Sequence, residues 1–390
     1  MGQPATGGAR PTATTLADGR DLLYFFDGGG PPAGFEAPAD ERDLPERPPS
    51  SELRYDPLTG EWIAFAAHRQ SRTHLPPADE CPLCPTSAEH ATEIPAPHYD
   101  VAVFENRFPS FGPEQHALAL GTAIGDVDPA HGRCEVIAFG AGHQDSFSSL
   151  TAERARTVVD AWTHRTGALY AMDGIEQVFC FENRGADIGV TLHHPHGQIY
   201  AYPYVPGRIK TYLRQARSHR AATGGNLFAD VLDFELAAGS RIVYRGEHWT
   251  LFVPYSARMP LEVHLTPNRH VGDLTELTAD ERTELADVYL DLVRGVDAIY
   301  ETPTPYISAW FQAPVRREGG QYDDGREEFR LHLQLTSPRR AENKLKYLAG
   351  SEAAMGAFIG DVMPETAARL LREAMGFEIA ASGGEGYGEA

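Results

Sequence analysis

The chain repeats itself, and that repetition limits its fold more than any other feature. Glu135-Val136 precedes His143 by eight positions and Glu262-Val263 precedes His270 by eight, an offset of 127 residues. The same offset relates Leu150-Thr151-Ala152 to Leu277-Thr278-Ala279. Thr278 and Glu281 have the N-cap and N3 spacing of a capping box, and Thr151 offers the equivalent hydroxyl, so each copy reads as strand, loop and N-capped helix. Ala155, Val158, Val159, Trp162 and Leu169 mark one buried helical face; Leu285, Val288, Tyr289, Leu292, Val293 and Val296 mark the other. An alternating strand follows each helix, at 178–182 and 306–310, and then a histidine-bearing strand around His194 and around His332. Those two lie 138 residues apart, and the polar run 318–327 accommodates the extra length as a surface loop. The expectation is a duplicated α+β unit with mainly antiparallel sheet and packed helices.

Around this body, residues 1–50 are rich in Gly, Pro and Ala, with one anchoring strand expected at Leu22 to Phe26, so they are read as a flexible extension. The two halves are placed at 51–225 and 226–375, with a disordered tail at 376–390. A net charge of −21 opposes nucleic acid and anionic membranes, so a polyphosphate ligand needs a local basic cluster. No apolar run approaches the roughly 18 residues of a membrane span, and no signal peptide opens the chain, so a cytoplasmic protein is expected. Four cysteines do not make a disulfide framework; Cys134 and Cys180 stand alone in strand-like runs, whereas Cys81 and Cys84 form a Cys-x-x-Cys pair open to redox or metal chemistry.

The chemistry concentrates at His193-His194-Pro195-His196-Gly197-Gln198. On an extended segment His194 and His196 project to one side, with Gln198 on the same side as His196. An isolated His-x-His is more often a structural pair. Here Gly197 lets a backbone N–H approach an anion, and Gln198 adds an amide donor.

With Phe181-Glu182-Asn183-Arg184-Gly185 upstream, the run His-Pro-His-Gly-Gln resembles the signature of the galactose-1-phosphate uridylyltransferase family, a branch of the histidine-triad superfamily. The likeness extends from about residue 54 to 372 and implies a duplicated histidine-triad-like fold. It also implies ping-pong transfer of UMP from UDP-glucose to galactose 1-phosphate, giving UDP-galactose, through His196 as nucleophile with Gln198 holding phosphate oxygens. Arg69, Arg72 and Asn106 match the family's UDP-binding positions, although the arginines also read as solvated surface charges. Asn183, Gly189, Thr191 (in place of serine), Lys346, Tyr347 and Glu352 match its hexose and phosphate contacts, while Ser351 departs from a tyrosine.

The resemblance further joins Cys81 and Cys84 to His143 and His194 as one structural zinc site. A second, iron-type site is expected to be absent, because its positions read Tyr212, Phe311, His332 and Gln334. A homodimer is expected. The alternatives are a related nucleotidyltransferase or phosphorylase acting on ADP-sugars or dinucleoside polyphosphates, a nucleotide hydrolase, and a zinc-stabilised nucleotide-binding protein without activity.

Overall fold

Two threonines start the two long helices that organise the molecule. In the computed structural model, which describes residues 10–45, 51–67, 76–112, 125–317, 319–320 and 324–377, Thr151 caps α1 (Ala152–Tyr170) by accepting from the Arg154 N–H. Thr278 caps α4 (Ala279–Ala298) in a full capping box with Glu281. The apolar faces anticipated for both helices are buried in one shared core, and the two helices pack on each other.

They lie on the back of one continuous antiparallel sheet. Its strands are β1 (Thr12–Thr15), β2 (Asp21–Phe25), β5 (Val101–Glu105), β7 (Arg133–Ala138), β8 (Gln177–Arg184), β9 (His196–Tyr202), β10 (Ile242–Arg245), β11 (Trp249–Phe252), β12 (Leu261–Pro267), β13 (Tyr306–Phe311) and β14 (His332–Ser337). Their spatial order is β1-β2-β5-β7-β9-β8-β13-β14-β12-β11-β10. This order is the duplication made visible: β5-β7-β9-β8 is mirrored by β13-β14-β12-β11 across a seam where β8 pairs with β13. A smaller sheet of β3 (Glu52–Asp56), β4 (Glu61–Phe65) and β6 (Val127–Pro129) sits at the front, packing Leu53 and Trp62 near Tyr200 and Tyr202. The helices α2 (Gly207–Thr223) and α3 (Leu227–Ala238) cover the front of the second half, where Tyr212 of α2 and Phe228 of α3 meet His332 and Phe329. The hairpin of β15 (Arg339–Ala341) and β16 (Lys344–Leu345) then leads to α6 (Pro364–Ala374), after the short α5 (Gly325–Glu328) has interrupted the polar run.

Two expectations need correction. The repeated Glu-Val pairs are not structurally equivalent. Glu135 lies on the helix side, bonded by Arg165 of α1 at 2.7 and 2.8 Å, whereas Glu262 turns to the front and accepts from the Arg258 N–H. A helix offset of 127 therefore coexists with a one-residue slip in the strand, and with a side-chain period of two such a slip exchanges the faces. The N-terminal stretch is also more than a loosely docked extension. It supplies β1 and β2, buries Leu22, Tyr24 and Phe25 completely, and locks Arg20 to Asp18 at 2.7 Å and Glu93 at 2.6 Å. Most of the proposed tail, residues 378–390, falls outside the described residues.

Candidate active site and metal cluster

The histidine run divides where β9 begins. His196 is the first residue of the strand; His196, Gln198 and Tyr200 face front, while Ile199 and Ala201 are buried against the helices. Registers of Ala138 with His196 and Val136 with Gln198 on one side, and Phe181 with Gln198 on the other, fix the neighbours. Two residues further along β8, on the same face, Asn183 comes alongside His196. His196 Nδ1 lies 2.7 Å from the carbonyl of His194. A carbonyl only accepts, so Nδ1 carries the hydrogen and the Nε2 lone pair is left for chemistry. Burial pushes the His196 pKa below its ordinary value, against the opposing effect of that hydrogen bond, which favours the neutral, nucleophilic ring.

Gly197 has a different task from the one its place in the run suggested. A Cβ there would lie 2.9 Å from Phe139 Cζ and 2.9 Å from the Phe181 carbonyl oxygen. The glycine is demanded from behind, by the close approach of β8 and the aromatic core.

His194, just before the strand, points its ring at the loop after β7 and at the cysteine pair. Its Nε2–H donates to the Gly140 carbonyl at 2.8 Å, with the Tyr99 hydroxyl 3.1 Å from the same nitrogen, so Nδ1 presents its lone pair to Cys84 Sγ at 3.6 Å. His143 Nδ1 approaches that sulfur at 3.4 Å, and one ligand atom from each of Cys81, Cys84, His143 and His194 lies within 4.8 Å of the others. A tetrahedral ion with bonds of about 2.3 Å to sulfur and 2.0–2.1 Å to nitrogen sets a sulfur–nitrogen edge of about 3.5 Å. The residues therefore fit a metal ion. Burial and then the adjacent Cys81 push the Cys84 thiol up to about 12, an effect that a bound divalent cation reverses. Burial likewise takes His194 down to about 4, keeping it a neutral donor. The outer partners Tyr99 and Gly140 were not legible in the sequence: Tyr99 precedes β5 without any motif, and only the fold brings its hydroxyl to both Leu83 and Gly140, at 2.8 and 2.7 Å.

The remaining residues separate into groups. Asn106 uses its side-chain oxygen to accept from the Phe108 N–H at 2.9 Å, shaping the turn after β5. Gly189, in a left-handed conformation with φ 82°, ends a short turn in the loop that also carries half-buried Thr191 and leads into His194. Lys346 pairs with Asp361 at 2.9 Å and Glu352 at 3.3 Å, while Tyr347 is 74% exposed. Their segment follows β14, three strands from β9, roughly 14 Å at the usual strand spacing. The sheet does not itself bring Lys346, Tyr347 and Glu352 onto His196. Arg69 and Arg72 lie outside the described residues.

In the second half, Gln334 stands where the 138-residue offset would put a nucleophile. Its Nε2–H₂ contacts the Tyr212 hydroxyl at 3.0 Å and His332 Nε2 at 3.2 Å, and its oxygen accepts from Arg208 at 2.8 Å. His332 stacks on Phe311 at 5.2 Å with its Nδ1–H donated to the Arg330 carbonyl at 2.9 Å, and burial takes its pKa down to about 3. That half is closed over with aromatic rings.

The family model described as galactose-1-phosphate uridyl transferase, N-terminal domain, matches residues 42–206, and the corresponding C-terminal domain matches 208–381. The chain is 47% identical to a galactose-1-phosphate uridylyltransferase of Streptomyces lividans, covering 93% of this chain and 98% of the relative. It is 36% identical to that of Thermotoga maritima, covering 83% and 98%. A solved uridylyltransferase structure, 30% identical, superposes with a TM-score of 0.72 over 83% of this chain and 98% of that one. An ADP-glucose phosphorylase from Arabidopsis thaliana, 20% identical with a TM-score of 0.62 over 83% and 99%, shares the fold. With both halves matched and the histidine run seated on its strand, the chain belongs to the galactose-1-phosphate uridyl transferase family.

Proposed function

We propose that this protein transfers UMP from UDP-glucose to galactose 1-phosphate through His196. The observation that carries the reading is the 2.7 Å bond between His196 Nδ1 and the His194 carbonyl, which leaves Nε2 free on the front face beside Asn183 and Gln198. In the first step that lone pair forms a bond to the α-phosphorus, the bridging P–O bond breaks, and glucose 1-phosphate departs with the electron pair. A phosphate oxygen of galactose 1-phosphate then attacks the same phosphorus, the P–N bond breaks, and the electrons return to the imidazole as UDP-galactose leaves. The leaving group is already an anion, so no general acid is needed. Gln198 donates its amide to non-bridging oxygens, an interaction whose loss often costs ~3 kcal/mol in comparable sites. Asn183, Gly189 and Thr191 border the sugar-1-phosphate, Asn106 the nucleotide, and Arg69 and Arg72 supply positive charge against the acidic surface.

We read Cys81, Cys84, His143 and His194 as holding one structural zinc ion, which would tie the N-terminal lobe to the loop before β9. The same residue, His194, would bind the ion through its ring and orient His196 through its carbonyl. Lys346, Tyr347 and Glu352 would complete the sugar site in a homodimer, a reading supported by a run of exposed apolar side chains in the same segment: Tyr347, Leu348, Met355, Phe358, Ile359 and Met363.

Incubation with UDP-glucose and no acceptor should add one UMP per chain in intact-mass spectra, and His196→Ala should abolish it; unmodified wild-type protein defeats the mechanism. The likeness of fold to a phosphorylase makes ADP-glucose with free phosphate the necessary competing pair in a donor and acceptor panel.

A further inference from the structure

Glu182 sits directly behind the proposed sugar contact, bonded to Tyr289 and Tyr306 on the helix side of the sheet. It lies on β8 next to Asn183, opposite Ser308 across the seam between the halves, and is 4% exposed. Because side chains alternate, Glu182 faces the helices while Asn183 faces the nucleophile. Its Oε1 is 3.1 Å from the Tyr306 hydroxyl of β13, and its Oε2 is 3.1 Å from the Tyr289 hydroxyl of α4. Tyr289 in turn reaches Ser308 Oγ at 2.9 Å. The nearby charges are Arg184 on β8 and Asp297 on α4, paired with each other; Arg184 also lies over the Tyr306 ring, and Asp297 accepts from Ser148 at 2.8 Å. Among the described residues no cation forms an ion pair with Glu182. One carboxyl group thus joins a strand of the first half to a strand and a helix of the second.

We infer that Glu182 is a positioning residue, a neutral acid in mildly acidic solution, which ties the two halves across the β8–β13 seam and thereby fixes Asn183 beside His196. The neutral acid fits the same three contacts, with Glu182 donating to the Tyr289 oxygen, Tyr289 to Ser308, and Tyr306 to the second carboxyl oxygen. An ionised carboxylate would be buried with no cation bonded to it, which is costly. Burial accordingly raises the Glu182 pKa to about 7, against the lowering influence of Tyr306, Arg184 and Tyr289. The link to Asn183 depends on the transfer mechanism proposed above; the protonation state does not.

The test compares wild type with Glu182→Gln, an isostere of the neutral acid, and Glu182→Leu, which cannot make either bond. A folded pKa above the unfolded value of about 4.3 gives stability that is full below that value and lost as pH rises through 7. The Gln variant should therefore melt together with wild type near pH 4.5 and roughly 3–5 °C above it at pH 8; a difference that does not change with pH overturns the inference. In steady-state kinetics Glu182→Leu should raise the KM for galactose 1-phosphate about tenfold while kcat stays within about threefold, and Glu182→Gln should restore KM. A fall in kcat alone would mark a merely structural role. Should the Leu variant not fold, Tyr306→Phe removes one bond and should raise KM in the same direction; an unchanged KM refutes the positioning role. The melting comparison needs no substrate, so an inactive wild type would overturn the proposed function and leave the protonation assignment to be decided by the melting curves.

Discussion

Gly197→Ala tests how closely β9, the strand that carries His196, is fitted to the core. The new Cβ would meet Phe139 Cζ and the Phe181 carbonyl at 2.9 Å and Ile137 Cγ2 at 3.2 Å. None of these can yield cheaply. The Phe139 ring is held by Phe147 at 5.2 Å and Trp162 at 6.1 Å, and the carbonyl belongs to the neighbouring strand β8, paired to β9 through Phe181 and Gln198. Overpacking of this kind costs about 1–3 kcal/mol. With an unfolding entropy of ~2.1 cal/mol/K per residue, or about 0.8 kcal/mol/K for 390 residues, the melting temperature should fall by roughly 1–4 °C. The relief available is a shift of β9 away from β8 by a few tenths of an ångström, which moves His196 relative to Asn183. Since a 1 Å misplacement can cost about 100-fold in rate, a loss of about tenfold is expected in single-turnover formation of the UMP adduct, measured by quenched-flow mass spectrometry. Gly30→Ala is the control: it has an extended backbone at φ −158° and no atom within 4 Å of a new Cβ. A Gly197→Ala protein with wild-type melting and adduct formation would refute the close-packing argument.

Two other perturbations read separate parts of the structure. Thr278→Ala removes one half of the capping box of α4 and should cost about 1–2 kcal/mol in denaturant unfolding; no change would mean that tertiary packing alone starts the helix. The hydrogen bond from Arg269, helped by the Thr278 N–H and opposed by burial, holds the partner Glu281 down to about 2, so its contribution is present above about pH 4.3 and is lost as pH falls towards 2. Glu281→Gln should flatten that part of the stability profile, and a profile identical to wild type contradicts the assignment. Cys81→Ser, at a position only 1% exposed, should reduce zinc from one equivalent to near zero by elemental analysis and lower the melting temperature; wild-type protein purified without zinc would rule out the clamp.

Much of this site was readable as a string because it is local. The spacing of His196 and Gln198 is a strand period, and Thr278 with Glu281 is a helix period, so neither needs the rest of the chain to be recognised. The duplication was equally readable, as an offset carried through two caps. Its register in the strands was not, because a one-residue slip between Glu135 and Glu262 leaves the letters aligned while reversing the faces. Gly197 looked like an opening towards an anion, and only the positions of Phe139 and Phe181 show that the space is needed behind it.

What the sequence determined by itself was the repeated unit, its two capped helices and the histidine run for which the nucleophile is proposed. Tertiary structure decided which contacts those elements make. It gathered Cys81, Cys84, His143 and His194 from three segments, gave His194 its partner in Tyr99, and put Glu182 between Tyr289 and Tyr306 on the seam. The physical reason is the range of the interactions: helix caps and strand alternation act over two to four residues, whereas metal geometry, burial and the proton balance of an enclosed carboxyl depend on groups that only folding brings together.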